Sequence, residues 1–322
     1  MGADRRAAKE KMIPLKYLFL FLVFPGLVFS GVMGLLVGWV DRKVTARLQW
    51  RKGPPWYQNF LDIMKLFLKE TLIPEGASRG MFFTMPLVAM AAAALFSTIL
   101  LVINKTPASG FIGDLIVIVY LLMIPPIALM LGGFASGNPL ASLGGSREMK
   151  LMLSYELPFL LSMAVPIMKC GYVINIGKMI LFQQSGMPVI ASASGVISFI
   201  VMLFCIQAKL GFVPFDMPEA ETEITSGPYI EYSGRVLAIF KITKAILLFA
   251  LPVLLITLYF GGIHFTPEGF LKNIFEYVGI LVIMIVIKNT NPRVRIDQAV
   301  RFFWRLPVLL AIIAVILAYF RL

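Results

Sequence analysis

The sequence predicts an all-α polytopic membrane protein of about eight transmembrane helices, with an interfacial amphipathic helix in its first inner connection. Three observations predict it: apolar runs of about 20 residues recur along the chain, 59% of residues are hydrophobic against 14% charged, and mean hydropathy is +0.87. A soluble domain carries about 45–50% apolar and about 25% charged residues. These 322 residues therefore lack the polar surface to cover a globule in water. Length alone would allow two soluble domains; the apolar runs make 1–322 one integral membrane domain, multi-pass in the cell membrane.

The expected spans run from Tyr17 to Val40, Met81 to Ile103, Ile112 to Phe134, Leu151 to Met168, Val189 to Ala208, Val236 to Phe260, Ile274 to Ile287 and Phe303 to Phe320. The seventh is short, and the fourth contains Glu156. The first is too long and too late for a cleaved signal peptide, and Asp41 and Arg42 follow it where small residues would mark a cleavage site. It is expected to stay in the mature protein.

Orientation follows from Lys and Arg in the connections. Those after the first, third, fifth and seventh spans carry 8, 2, 2 and 5, against 10 on the other side, tails included. The odd connections are therefore inner, although Arg5, Arg6, Lys9, Lys11 and Lys16 of the N-terminal tail pull the other way. The inner connections, about 41–80, 135–150, 209–235 and 288–305, are long and polar, which marks a docking platform for partners. In the first, Phe60, Ile63, Met64 and Phe67 recur at helical spacing opposite Asp62, Lys65 and Lys69. This pattern over Trp56 to Lys69 suits a helix lying at the bilayer surface or against a partner. Asp62 and Lys65, at i and i+3, are placed to pair.

Charge and rare residues exclude other classes. The formal charge is +12, an excess that in a membrane protein sits beside anionic lipid and sets topology, so no nucleic acid is expected. Cys170 and Cys205 lie far apart and His264 is the only histidine, so the sequence offers no site for zinc, haem or an iron-sulfur cluster. Redox centres must sit in other chains. The cysteines read as small buried apolar residues, and His264 as decoration of a short outer loop.

The connection between the fifth and sixth spans gathers Asp216, Glu219, Glu221, Glu223 and Glu231 between apolar segments. One carboxylate at membrane depth costs about 2.5–3.5 kcal/mol even on the lenient insertion scale, so such a cluster needs water, protons or cations. If Pro218 opens a short helix, Asp216 caps it, and Glu219 and Glu223 share a face where like charge raises one pKa. The bland alternative is a solvated loop pairing with basic residues. Glu156, inside an apolar span, should face the bundle interior. Lys241 and Lys244 are candidate counter-charges, or snorkel to the interface, and Arg235 reads as an end anchor.

Four stretches occur in an order that resembles one family. They are Asp41-Arg42-Lys43-Val44-Thr45-Ala46-Arg47-Leu48-Gln49 with Arg51-Lys52-Gly53-Pro54; Gly132-Gly133-Phe134-Ala135-Ser136 through Ser154-Tyr155-Glu156; Pro214-Phe215-Asp216-Met217-Pro218-Glu219-Ala220-Glu221-Thr222-Glu223 followed by Glu231-Tyr232-Ser233-Gly234; and Pro292-Arg293-Val294-Arg295-Ile296-Asp297-Gln298. Together they are similar to the eight-helix membrane subunit 1 family of respiratory complex I and of energy-converting membrane-bound nickel-iron hydrogenases. The run Gln58-Asn59-Phe60 with Asp62, Ile63 and Lys65, and Lys241 and Lys244 where quinone-linked members often carry an acid, look more like the hydrogenase branch.

The resemblance implies a subunit that is no enzyme alone. It would join a cytoplasmic redox arm, hydrogenase-like or quinone-reductase-like, to antiporter-like membrane subunits that move H⁺ or Na⁺. The acids matching Glu219, Glu221, Glu223 and Glu231 would feed a carboxylate pathway. Arg42, Arg47, Arg51, Lys52, Asp62, Lys65, Arg235, Arg293, Arg295 and Asp297 would face partner or substrate on the inner side. No cofactor is expected in this chain; a nickel-iron centre and iron-sulfur clusters are expected in its partners. The alternatives are a quinone-chamber subunit of a complex I-like enzyme or a related sulfur-reducing complex and, from another class, a standalone secondary transporter, which would ordinarily show two related halves.

Overall fold

A computed structural model describes residues 17–321. The basic N-terminal tail with Arg5, Arg6, Lys9, Lys11 and Lys16 lies outside the described residues. Ten helices of ten residues or more follow in order: α1 Leu27–Leu48, α2 Gln58–Leu68, α3 Arg79–Lys105, α4 Asp114–Ala135, α5 Pro139–Lys169, α6 Ile176–Ser185, α7 Ala193–Lys209, α8 Gly234–Leu255, α9 Pro267–Thr290 and α10 Ile296–Tyr319. No strand occurs among the described residues. Among the described residues seven helices are long and apolar enough to cross a membrane, the first counted from Tyr17, and α7 is a shorter apolar helix of 17 residues. This is the expected polytopic all-α architecture.

The largest departure is α5. The sequence predicts a long polar inner connection over 135–150, yet the helix begins at Pro139 and runs 31 residues. Asn138 accepts the Leu140 N–H at 2.8 Å and Pro139 takes the first turn, a strong start signal. At 1.5 Å per residue α5 is about 46 Å long, more than the roughly 30 Å hydrocarbon layer needs, so one end stands clear of it. The seventh span is likewise longer than expected: Thr266 caps α9 and Pro267 opens it. The amphipathic segment forms α2, an 11-residue helix with no buried residue. Asn59 fastens it to α1 by donating to the Leu35 carbonyl at 2.8 Å.

Two groups of helices pack against one another. In the first, α8 lies against α1, α3 and α2, and α3 against α4; in the second, α5, α7 and α10 pack mutually. The α4–α5 contact joins the groups, and α9 leans on α1 and α8. α8 is the most enclosed, with 72% of its apolar window buried. It ends in a five-residue π segment, Ile256–Phe260, whose Leu258 carbonyl accepts from Gln183 at 3.2 Å. Both cysteines are buried. His264 is half-buried, and Asn273 exchanges hydrogen bonds with its backbone. Desolvation, with Lys272 nearby, lowers its pKa.

Small residues permit the closest approaches, as in membrane bundles generally. A Cβ at Gly34 of α1 would sit 2.1 Å from the Ala245 carbonyl oxygen of α8, whereas one at Gly279 of α9 meets nothing within 4 Å. Gly34→Ala should therefore force α1 and α8 apart and cost about 1–3 kcal/mol, read as a lowered melting temperature of the purified protein. Gly279→Ala should be neutral or slightly stabilising; equal melting of the two variants would contradict this packing.

Candidate functional site

The acidic connection is folded onto the inner ends of α4, α5 and α8 rather than spread in solvent. Gly132 and Gly144 let it approach: a Cβ at the first would meet the Tyr232 hydroxyl at 2.5 Å, and one at the second the Pro228 ring at 2.6 Å. Tyr232 stacks on Phe82 of α3 at 4.3 Å. The far side is tied down by the Val294 N–H, which donates to the Pro214 carbonyl at 3.2 Å.

Each acid but one finds a partner within this chain. Arg293 grips Asp216 with two hydrogen bonds, 2.8 and 2.6 Å, and donates to Thr222 at 2.9 Å. The bond to Asp216 holds the guanidinium pKa above its ordinary value. Glu219 pairs with Lys244, Glu223 with Arg147, and Glu231 accepts from Asn138. Glu221 is exposed and has no ion pair among the described residues. Two expectations fail here. Asp216 makes no helix cap, because the bidentate grip of Arg293 outweighs one cap bond. Glu219 and Glu223 do not share a helical face, because the 3₁₀ turn Met217–Glu219 ends at extended Ala220 before the single turn Glu221–Ile224 begins.

Glu156 faces the interior, as its cost in lipid requires. Its partner is Lys209 at 2.8 Å, with the two side chains 11% and 4% exposed. The Lys209 ammonium also sits 4.8 Å from the Tyr155 ring and 4.4 Å from the Phe159 ring, which replaces part of its lost hydration. The other carboxylate oxygen of Glu156 and the Tyr155 hydroxyl are buried without a protein partner.

Sequence reasoning missed the residue that links these parts. Glu148, 8% exposed on α5, lines a cavity of about 50 Å³ with Lys209, Glu219, Tyr229 and Lys244, enough for a few ordered waters. Pro125 and Pro126 of α4 form another wall. Lacking N–H groups, they cannot donate to the carbonyls of Leu121 and Leu122 one turn earlier. Lys244 and Glu219 also line a second cavity of about 380 Å³ that includes Glu221 and Lys241. Lys244 and Lys241 border a third, about 220 Å³, between α1, α2 and α8 with Asp41, Arg42 and Asn59. Lys244 thus touches all three. Burial and the negative charges of Glu219 and Glu148 push the Tyr229 phenol well above its ordinary pKa, so it stays protonated and serves as a donor. The signal for Glu148 is its place two helical turns before Glu156, hidden because 135–150 reads as an inner connection.

The remaining inner residues divide. Arg42 binds Asn59 at 2.6 Å and Asp62 at 3.2 Å, so Asp62 pairs across to α1 and not with Lys65; Gln58 donates to Asp62 at 2.8 Å and holds it toward α1. Lys288 pairs with Asp41 at 2.7 Å over the Phe212 ring. Arg47, Arg51, Lys52, Lys65, Arg295 and Asp297 are exposed without ion pairs among the described residues, as is Lys241. Arg235 donates only to the Phe67 carbonyl, at 3.3 Å. No three His, Cys, Asp or Glu side chains gather to hold a metal among the described residues.

A family model described as NADH dehydrogenase matches residues 17–319. The chain belongs to this family. Among its NADH dehydrogenase relatives, an NADH-quinone oxidoreductase subunit of Geobacillus thermodenitrificans is 30% identical, covering 92% of this chain and 90% of the relative. The corresponding subunit of Anoxybacillus flavithermus is 32% identical over 90% of this chain and 89% of its own length. A solved structure of the membrane-bound sulfane sulfur reductase, an archaeal respiratory membrane complex, superimposes with a TM-score of 0.83 at 28% identity, covering 94% of this chain and 99% of the other. This member of the NADH dehydrogenase family is a multi-pass membrane protein.

Removing one partner of a buried ion pair strands the other. Lys209→Met should cost about 3–5 kcal/mol of stability, seen as a large drop in melting temperature. Lys209→Met combined with Glu156→Leu should recover most of the loss. A single variant that melts like the parent would show that the pair is not buried.

Proposed function

We propose that this chain is the integral coupling subunit of a complex I-like respiratory oxidoreductase of the hydrogenase or sulfur-reducing branch. It links electron transfer in a cytoplasmic arm to H⁺ or Na⁺ movement through antiporter-like membrane subunits. The nickel-iron and iron-sulfur centres belong to the cytoplasmic partners; this chain supplies charge relay. The observation that carries the reading is the run of amines and acids, Lys241, Lys244, Glu219, Glu148, Lys209 and Glu156, along adjoining cavities that lead from the α1–α2 face to the middle of α5.

The run works by exchange of partners. A proton reaching Glu219 neutralises it, and Lys244 is released. The freed ammonium then favours ionised Glu148 across the shared cavity, so that a proton held by Glu148 passes to the Glu156 carboxylate, which releases Lys209. Tyr229 steadies Glu219 by donating to its carboxylate. Each transfer needs only a side-chain swing or a few waters, while the lipid around the run keeps the charges from leaking.

One observation favours the quinone-chamber reading as second choice. The cavity of about 220 Å³ between α1, α2 and α8 has apolar walls and a few polar groups, the character of a small-molecule pocket. Quinone bound in the purified assembly would favour it. Relatives described as subunits of NADH-quinone oxidoreductase support a role within an assembly over a standalone transporter.

Glu148→Gln and Glu219→Gln, made in the assembled complex, keep size and remove charge. Redox turnover by the cytoplasmic arm should persist while ions moved per electron fall by about tenfold, a loss equivalent to about 1.4 kcal/mol. Unchanged ion movement at unchanged turnover would overturn the coupling role.

A further inference from the structure

A groove of about 580 Å³ lies apart from the charge run, where the C-terminal end of α2 meets the inner ends of α3 and α8. Its charged rim is Lys69, Glu70 and Arg235, with Thr71, and its apolar lining is Phe83, Leu87 and Ile239, of which Phe83 and Leu87 are exposed at 40% and 48%. On α8 the charge comes one turn before the hydrocarbon, and the α3 side is apolar throughout. On α8, Arg235 and Ile239 are four residues apart and so stand on one face; on α3, Phe83 and Leu87 do the same.

The cations are poorly matched by the protein itself. Lys69 has no ion pair among the described residues, and Arg235 spends one N–H on a carbonyl. Arg235 also stands in the first turn of α8, which holds no acid, so the helix end repels it and an added anion is favoured by both. Glu70 opposes two cations, which leaves the rim net positive. Exposed Met64, Leu68 and Leu72, at 60%, 85% and 65%, continue the apolar surface beside the mouth, as expected of a helix lying in the interface.

We propose that this groove holds one anionic phospholipid of the inner leaflet, its phosphate between Lys69 and Arg235 and its first acyl segment along Phe83, Leu87 and Ile239. A membrane phospholipid fits better than a soluble anion because the apolar wall sits on two membrane spans directly below the cations. It fits better than a protein partner because the cation Arg235, followed one turn into α8 by Ile239 and faced by Phe83 and Leu87 of α3, matches the headgroup-then-chain order of a lipid leaflet. Lipid held there ties α2 to the bundle, beside the α1–α2 face where the charge run begins.

The test uses the assembled complex in mild detergent, with phosphatidylglycerol and phosphatidylcholine as probes and bound lipid counted by native mass spectrometry. The parent complex should retain phosphatidylglycerol in preference to phosphatidylcholine, and inorganic phosphate alone should not displace it. Each cation near an anionic headgroup contributes about five-fold in affinity, so Lys69→Gln with Arg235→Gln should weaken phosphatidylglycerol retention by about twenty-five-fold and leave phosphatidylcholine unaffected. Leu87→Trp, which fills the apolar wall with both cations intact, should also lower retention. Equal retention of the two lipids, unchanged binding in both variants, displacement by phosphate alone, or crosslinking of a Leu87→Cys complex to a protein subunit would each overturn the proposal.

Discussion

A charge below the membrane surface must be matched, and that constraint organises the functional half of this protein. Glu156 and Lys209 satisfy it together: neither would be tolerated alone at 11% and 4% side-chain exposure, and two aromatic rings close over the ammonium. The pair joins α5 to α7 within one of the two groups of helices, and the seam between the groups is where further charges collect. Glu148 comes from α5, Lys244 from α8 and Glu219 from the connection laid across both. The cavity they line is the place where the two groups do not close completely.

The same constraint explains why the acidic connection is folded inward. Its acids could have been spent on solvent, yet Arg147, Lys244 and Arg293 take three of them. Arg147 and Lys244 stand on the two helices that frame the seam, so the connection works as a strap across it. The solvated-loop alternative is therefore half right about the chemistry, since the acids do pair with basic residues. Those residues belong to this chain, and Glu219 is drawn to the cavity wall. Membership of the NADH dehydrogenase family, and the close superposition on a chain of the sulfane sulfur reductase, place this arrangement among respiratory membrane proteins. The proposed relay accounts for amines as well as acids along the run: Lys244 and Lys209 each stabilise an ionised acid until a proton arrives and releases it.

Much of the fold was legible because lipid leaves few choices. Runs of apolar residues had to be helices, since only helices satisfy their own backbone groups in a bilayer, and the amphipathic pattern at Trp56 to Lys69 had to lie flat or pack. Errors fall where local signals compete with context. Residues 135–150 read as a polar connection, but Gly144 packs closely on the acidic connection and Gly145 on α4, inside a helix that Asn138 and Pro139 start. Asp62 and Lys65 look like a pair because they are near in sequence, while Arg42 of another helix is nearer in space.

The sequence by itself determined the solvent, the order of the apolar segments, and the acids that needed a reason to exist, because each follows from composition and local periodicity. Only the tertiary structure decided which cation meets which acid, that Glu148 belongs with Glu219 and Lys209, and that adjoining cavities connect them. Pairing depends on distance across helices far apart in the chain, and no local pattern of residues encodes it.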